Sequence, residues 1–175
     1  GGPAGPFLVS AGITGGTGFL VERGTRGKEL IGPREGILVV ALVWLALPLF
    51  GALPYLLADE PQLARPVNAY FEAMSGFTAT GATVLTDIEA VDSSLLMWRQ
   101  LTQWLGGMGI IVLAVAILPR LRIGGRQLLH SELAGPTEVE RLSATIRETA
   151  RRLWVLYLGL TLVAIAVFTL YGWTG

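Results

Sequence analysis

The stretch Pro66-Val67-Asn68-Ala69-Tyr70-Phe71-Glu72-Ala73-Met74-Ser75-Gly76-Phe77-Thr78-Ala79-Thr80-Gly81-Ala82-Thr83-Val84-Leu85-Thr86 is too polar to cross a bilayer, yet it sits between two runs that can. Val67 to Phe77 is 11 residues. As a helix it reaches about 16 Å, roughly half the hydrocarbon thickness of a membrane. It can enter but it cannot cross. The pattern predicts a re-entrant pore loop over residues 66–86, an amphipathic half-helix ending in a Thr-Ala-Thr-Gly turn. Non-helical backbone at membrane depth is tolerated only where protein or a watery cavity surrounds it. A ring of backbone carbonyls in such a place can replace the water around a dehydrated cation.

Within the stretch, Ala69, Ala73, Gly76 and Phe77 fall at helical spacing, and the small residues among them let a helix approach its neighbours closely. Tyr70 and Phe71 suit the interface, where aromatic residues collect. The negative C-terminal end of the half-helix dipole points toward Thr78–Gly81 and favours a cation there. Gly81 adopts positive φ without steric cost, so the carbonyls before it can turn toward a common axis. Thr78, Thr80 and Thr83 add hydroxyls that can coordinate an ion or hold the turn.

Outward from this loop, the 175 residues are 52% apolar and 15% charged, and the apolar residues are continuous. Ile37–Ala58 has 22 residues without a charge, Gln100–Pro119 has 20 and Leu153–Gly175 has 23. Each is near the roughly 20 residues that cross a hydrocarbon core. Three spanning helices are expected. The uncharged run Gly1–Val21 holds seven glycines and two prolines. It reads as the tail of a preceding span in a fragment of a longer chain, since it lacks the basic start of a signal peptide. The absence of cysteine excludes disulfides and thiolate metal sites, and the net charge of zero argues against a nucleic-acid partner.

The charges are unevenly placed. Arg23, Arg26, Lys28 and Arg34 precede the span at 37, and Arg120, Arg122, Arg126, Arg141, Arg147, Arg151 and Arg152 follow the span near 100. Only Arg65 and Arg99 lie between these groups. The positive-inside rule puts the 22–36 and 120–152 links in the cytoplasm and the 59–93 region outside. That outer region holds Asp59, Glu60, Glu72, Asp87, Glu89 and Asp92. Two readings stay open: a negative field that draws cations, or only a solvated face.

The organisation that follows is the end of a span at 1–22, a link at 23–36, a helix, pore-loop, helix repeat at 37–119, a link at 120–152 and a first helix of another unit at 153–175. Within the repeat the spans are 37–58 and 94–119. Pro48 and Pro54 should bend or end the first span toward its outer end. A long helix starts after Asp92-Ser93-Ser94 with a serine cap. Trp98 and Trp104 are packing anchors, and Gly106-Gly107-Met108-Gly109 favours close helix contact over a hinge. Thr137–Arg152 reads as a short helix leading into the last span, with Gly124-Gly125 and Gly135-Pro136 as breaks before it. A two-residue echo, Arg34-Glu35 and Arg147-Glu148, is 113 positions apart. It is thin evidence for a repeat.

The residues Tyr70–Ala82, then Trp98-Arg99-Gln100-Leu101-Thr102-Gln103-Trp104-Leu105-Gly106-Gly107-Met108-Gly109-Ile110, resemble the TrkH/KtrB potassium uptake family. The likeness extends through Arg34-Glu35-Gly36 and Phe50-Gly51-Ala52-Leu53-Pro54 to Gly124-Gly125 and Glu148-Thr149-Ala150. It implies an all-α membrane protein with a potassium-channel-like helix, re-entrant pore loop, helix repeat and flanking transmembrane helices. Four non-identical repeats would surround one pore, and this chain resembles the first. The resemblance makes Thr78, Ala79, Thr80 and Gly81 the filter that binds potassium, with Gly81 the filter glycine. No cofactor is implied, since potassium is the substrate. The implied partners are the lipid bilayer, a second copy of the chain, and a cytoplasmic nucleotide-binding subunit of the TrkA or KtrA kind. The implied location is the bacterial cytoplasmic (inner) membrane. The 120–152 link is a candidate contact for the regulatory subunit, and its arginines equally serve topology alone.

Other signals carry less. His130 stands alone in a polar link, without partners for a metal or proton relay. Gly12-Ile13-Thr14-Gly15-Gly16-Thr17-Gly18 looks like a phosphate loop but lacks its lysine. Ser75 is not in a nucleophile elbow, and no catalytic constellation is visible, so the chain is not read as an enzyme. Glu72, Arg99 and Thr83 are candidates for filter support. Single charges in a membrane are expensive unless paired, and Glu72 and Arg99 fit either a structural ion pair or a direct influence on permeation. The alternative function is a membrane-embedded adaptor, in which 66–86 lies at the interface and the basic link recruits a partner.

Overall fold

Proline marks where most of the helices begin, because its fixed φ suits the first turn and its missing N–H is not needed there. Pro6, Pro33, Pro54 and Pro66 occupy such positions. The computed structural model describes residues 4–25, 33–121 and 137–172. These residues form helices α1 (Gly5–Gly24), α2 (Pro33–Gly51), α3 (Leu53–Leu57), α4 (Pro66–Phe77), α5 (Ser93–Leu121) and α6 (Thr137–Leu170). No strand occurs among the described residues. His130 and the breaks at Gly124-Gly125 and Gly135-Pro136 lie outside them. The chain divides into two compact units, Gly1–Gly107 and Met108–Gly175, and α5 runs from the first into the second.

In the first unit, α2 continues past Pro48 and stops at Gly51. The short α3 follows without a change of backbone basin, since Ala52 remains right-handed at φ −77° and ψ −19°. The expected effect of the prolines is therefore a local break at residues 51–53, where the ring of Pro54 removes a backbone donor. α4 packs on α2 and α3, and α1 lies against α3. Tyr55, Leu63, Ala69, Ala73, Leu85 and Leu95 share one buried cluster, which ties α3, the following turn, α4, the return segment and the start of α5 together. The expected spacing at Ala69, Ala73, Gly76 and Phe77 is the buried face of α4, and Glu72 and Ser75 share it.

α5 starts one position earlier than its expected serine cap, because the cap is Asp92. Its Oδ1 accepts the Ser94 N–H at 2.8 Å and the Ser94 hydroxyl at 2.5 Å. Those two bonds, the hydroxyl first, hold the Asp92 carboxyl below its ordinary value. Trp98 anchors the helix as expected: its Nε1–H donates to Gly51 O at 2.9 Å, and its ring meets Phe7 edge-on at 6.0 Å.

Polar residues in α1 are satisfied within the helix. Ser10, Thr14 and Thr17 donate to the carbonyls of Pro6, Ser10 and Ile13 at 2.7–2.8 Å. A hydroxyl bonded in this way needs no water. In the second unit, Thr161 of α6 does the same to Tyr157 at 2.8 Å. α6 runs unbroken from 137 to 170, so the short helix expected at 137–152 leads directly into the last expected span. No glycine or proline stands between Thr137 and Leu158, so a change from polar to apolar side chains leaves the backbone ladder intact.

Leu38–Leu57 and Glu148–Leu170, 20 and 23 residues, are long and apolar enough to cross a membrane, and the third expected span is helical throughout within α5. Leu38, Leu42, Leu45 and Leu49 of α2 are each more than half exposed. An apolar face of that extent suits hydrocarbon or other helices, not water. The chain is an all-α membrane protein.

Close packing at the end of α4 depends on bare backbone. A Cβ on Gly106 would fall 2.6 Å from the carbonyl oxygen of Gly76, and nearer still to that of Phe77. One on Gly51 would strike the Phe77 ring. A ring edge can shift, whereas a helix-end carbonyl cannot. Gly106→Ala should therefore lower the stability of the complete protein by about 1–3 kcal/mol, and Gly51→Ala by less, in thermal unfolding followed in detergent. Equal, negligible losses would contradict this packing.

Candidate functional site

The residues 78–81 form the way out of α4. Ala79 N–H donates to Gly76 O at 2.8 Å and Thr80 N–H donates to Ser75 O at 3.0 Å. This crossed pair of bonds is a Schellman motif, in which one residue past the cap must be left-handed. Ala79 fills that position with φ +52°, and Gly81 is left-handed as well, at φ +76°. Residue type alone points to positive φ only at Gly81. Ala79 gives no such signal because alanine is a helix former, and the left-handed basin costs a residue with a Cβ about 1–2 kcal/mol.

The hydroxyls of the turn are committed to one another. Thr78 Oγ1 donates to Met74 O at 2.8 Å. Thr80 Oγ1 lies 2.7 Å from it and is left as the donor of that pair. Ser75, which is no nucleophile, serves the fold instead. Its hydroxyl donates to Ala82 O at 2.6 Å and joins the buried face of α4 to the returning chain. Ala79 to Thr83 are exposed in this chain, while Ser75, Gly76 and Phe77 behind them are buried.

Glu72, Thr83 and Arg99, three separate candidates in the sequence, come together. Glu72 is 1% exposed. Arg99 Nε of α5 reaches Glu72 Oε1 at 2.5 Å. Thr83 Oγ1 lies 3.0 Å from each carboxylate oxygen, and the Val84 N–H donates to Oε2 at 3.1 Å. Thr83 Oγ1 in turn accepts the Leu85 N–H at 3.1 Å. One buried carboxylate thus joins three segments: α4, α5 and the return segment 83–85. A buried ion can persist only with such partners.

Two residues at this place give no sign of themselves in the sequence. Thr102 is fully buried, with its hydroxyl donating to Arg99 O at 2.8 Å, and a Cβ on Gly76 would collide with it. Tyr55 is buried near Glu72, Thr102 and Arg99. Neither sits at a distinctive sequence spacing. Among the described residues, no group of three or more His, Asp or Glu side chains could hold a metal ion. The exposed residues of the turn, Ala79 to Gly81, have backbone carbonyls and one hydroxyl as their oxygen atoms.

Known proteins are similar to this sequence. Residues 17–174 match the family described as TrkH, cation transport protein. The chain is 45% identical over 167 residues to the Trk system potassium uptake protein TrkH of Halomonas elongata, covering 95% of the chain and 34% of that protein. It is 48% identical over 128 residues to TrkH of Escherichia coli K12, covering 73% and 26%. It is 34% identical over 166 residues to TrkG of the same strain, covering 95% and 33%. The chain therefore spans about a third or less of the length of these relatives. A match that runs from α1 through the end of α6, across the turn and its buried carboxylate, makes this chain a member of the TrkH family of cation transport proteins.

Proposed function

We propose that this chain supplies one of four filter segments in a protein that takes up potassium across the cytoplasmic membrane. Residues 66–86 are its re-entrant loop, and Thr78, Ala79, Thr80 and Gly81 coordinate the ion through backbone carbonyls. The observation that carries the reading is the exposed turn with left-handed residues at 79 and 81, braced from behind by the buried Glu72. Alternating backbone handedness can turn successive carbonyls to one side, and α4 ends at this turn, so its dipole adds negative potential there. The names of the relatives, potassium uptake proteins, support the choice of ion.

In this reading Glu72, Arg99 and Thr83 support the filter and do not touch the ion, because the carboxylate is buried and already accepts from Arg99, Thr83 and Val84. The 59–93 region faces outward and the 22–36 and 120–152 links face the cytoplasm. The complete protein forms a dimer in the bilayer and meets a nucleotide-binding subunit of the TrkA or KtrA type, with the basic link as the candidate contact.

Three outcomes follow for the complete protein. Gly81→Ser should lower potassium over sodium discrimination in ion-flux measurements by about tenfold, the equivalent of ~1.4 kcal/mol. Unchanged discrimination would sink the assignment. Glu72→Gln should cost about 3–5 kcal/mol of stability, because Arg99 is then buried without its partner. The Glu72→Gln/Arg99→Gln double variant should recover part of that loss in thermal unfolding. Additive losses would show that the pair is not coupled. Ala79→Gly should be tolerated, and Ala79→Val should abolish uptake, because a β-branched residue resists positive φ. Wild-type uptake by the valine variant would remove the left-handed turn from the mechanism.

A further inference from the structure

Gln62 lies in the turn between α3 and α4, outside every motif considered so far. Its side-chain amide reaches across to the far end of the return segment. Oε1 accepts the Thr86 N–H at 2.8 Å and the Thr86 hydroxyl at 2.9 Å. Nε2 donates to Asp87 O at 3.2 Å. One amide thus plays the part of a neighbouring strand's peptide group, accepting at one residue and donating at the next. Gln62 is itself fixed. The adjacent Leu63 is fully buried, and Asn68 Nδ2 of α4 donates to Gln62 O at 2.9 Å.

The return segment is then tied at successive points along its length. Ser75 holds Ala82, Glu72 holds Thr83 and Val84, and Gln62 holds Thr86 and Asp87. The described residues form no strand, so this segment has no ladder to keep its shape. Side chains keep it instead. The first two ties come from the half-helix itself, so they move with it. The Gln62 tie comes from the turn before α4, anchored in the buried cluster through Leu63 and to the start of α4 through Asn68. It sets how far the return segment stands from the start of α4, and through the short chain between them how far residues 78–81 can relax.

We propose that Gln62 is a specificity-determining positioning residue: by clamping Thr86 and Asp87 it holds the backbone at 78–81 at the spacing that favours one ion size over another. The inference rests on the reading of 78–81 as the filter. Glutamine suits this clamp because leucine has neither donor nor acceptor, asparagine is one methylene too short, and glutamate keeps the acceptor but turns the donor to Asp87 O into a repelling oxygen.

The test is flux of potassium, rubidium and sodium through the full-length protein in proteoliposomes, with Gly81→Ser, Gln62→Leu and Gln62→Glu compared with the unaltered protein. Gln62→Leu should lower the potassium over sodium ratio by about fivefold, the change expected if one ordinary net hydrogen bond distinguishes the two ions' filter geometries. Gln62→Glu should fall between Gln62→Leu and the unaltered protein. A residue that only stabilised the fold would reduce the amount of assembled protein, or all three fluxes alike, and leave the ratio unchanged. That result overturns the inference. If Gln62→Leu does not assemble, the ratio of Gln62→Glu decides in the same way. A changed ratio in Gly81→Ser with an unchanged one in the Gln62 variants removes this inference alone, whereas an unchanged ratio in Gly81→Ser removes the filter reading beneath it.

Discussion

A carboxylate stripped of water is the constraint around which the first unit is arranged. Glu72 is 1% exposed on the buried face of α4, and an isolated ion there would be untenable. Its partners are a guanidinium from α5, a hydroxyl and a peptide N–H from the return segment. Each partner is drawn from a segment that hydrophobic contact alone would not have oriented. Replacing the cluster with apolar side chains of equal volume could fill the space equally well. It would not dictate which peptide group faces inward at Val84, and a segment without strand partners has no other source of register.

Sterics complete what charge begins. The end of α4 is seated against two bare backbones, Gly51 of α2 and Gly106 of α5, and Gly76 faces Thr102. Contact at this range supplies dispersion that a side chain at any of the three glycines would forfeit. The Schellman closure then throws the chain out of the helix within two residues, through Ala79. Helix, cap and return segment are therefore continuous consequences of a few short contacts.

The membrane class and the short helix α4 are legible in the sequence for plain reasons. Few soluble folds tolerate several charge-free runs near 20 residues, and Pro66 announces a helix start. Glu72, Arg99 and Thr83 also stand out, since each is an anomaly in its surroundings. Their pairing does not, because spacings of 11 and 27 positions follow no local period. Gln62 carries no signal at all: a glutamine in a polar turn is unremarkable until the segment 25 positions later folds back onto it. Ala79 is hidden by its own propensity.

The bond from Trp98 to Gly51 and the pair of Arg99 with Glu72 join positions 47 and 27 apart, the later member always on α5. During translation the Glu72 carboxylate of α4 accordingly exists before its guanidinium, although α2 and α3 are already there for α4 to pack on. At about 5–20 residues per second, the interval between the emergence of the carboxylate and that of its guanidinium is roughly one to five seconds. Through that delay the glutamate must be sheltered by water, lipid headgroups or the insertion machinery. The ribosome's delivery of α5 then supplies both bonds, since Trp98 and Arg99 are adjacent in the chain.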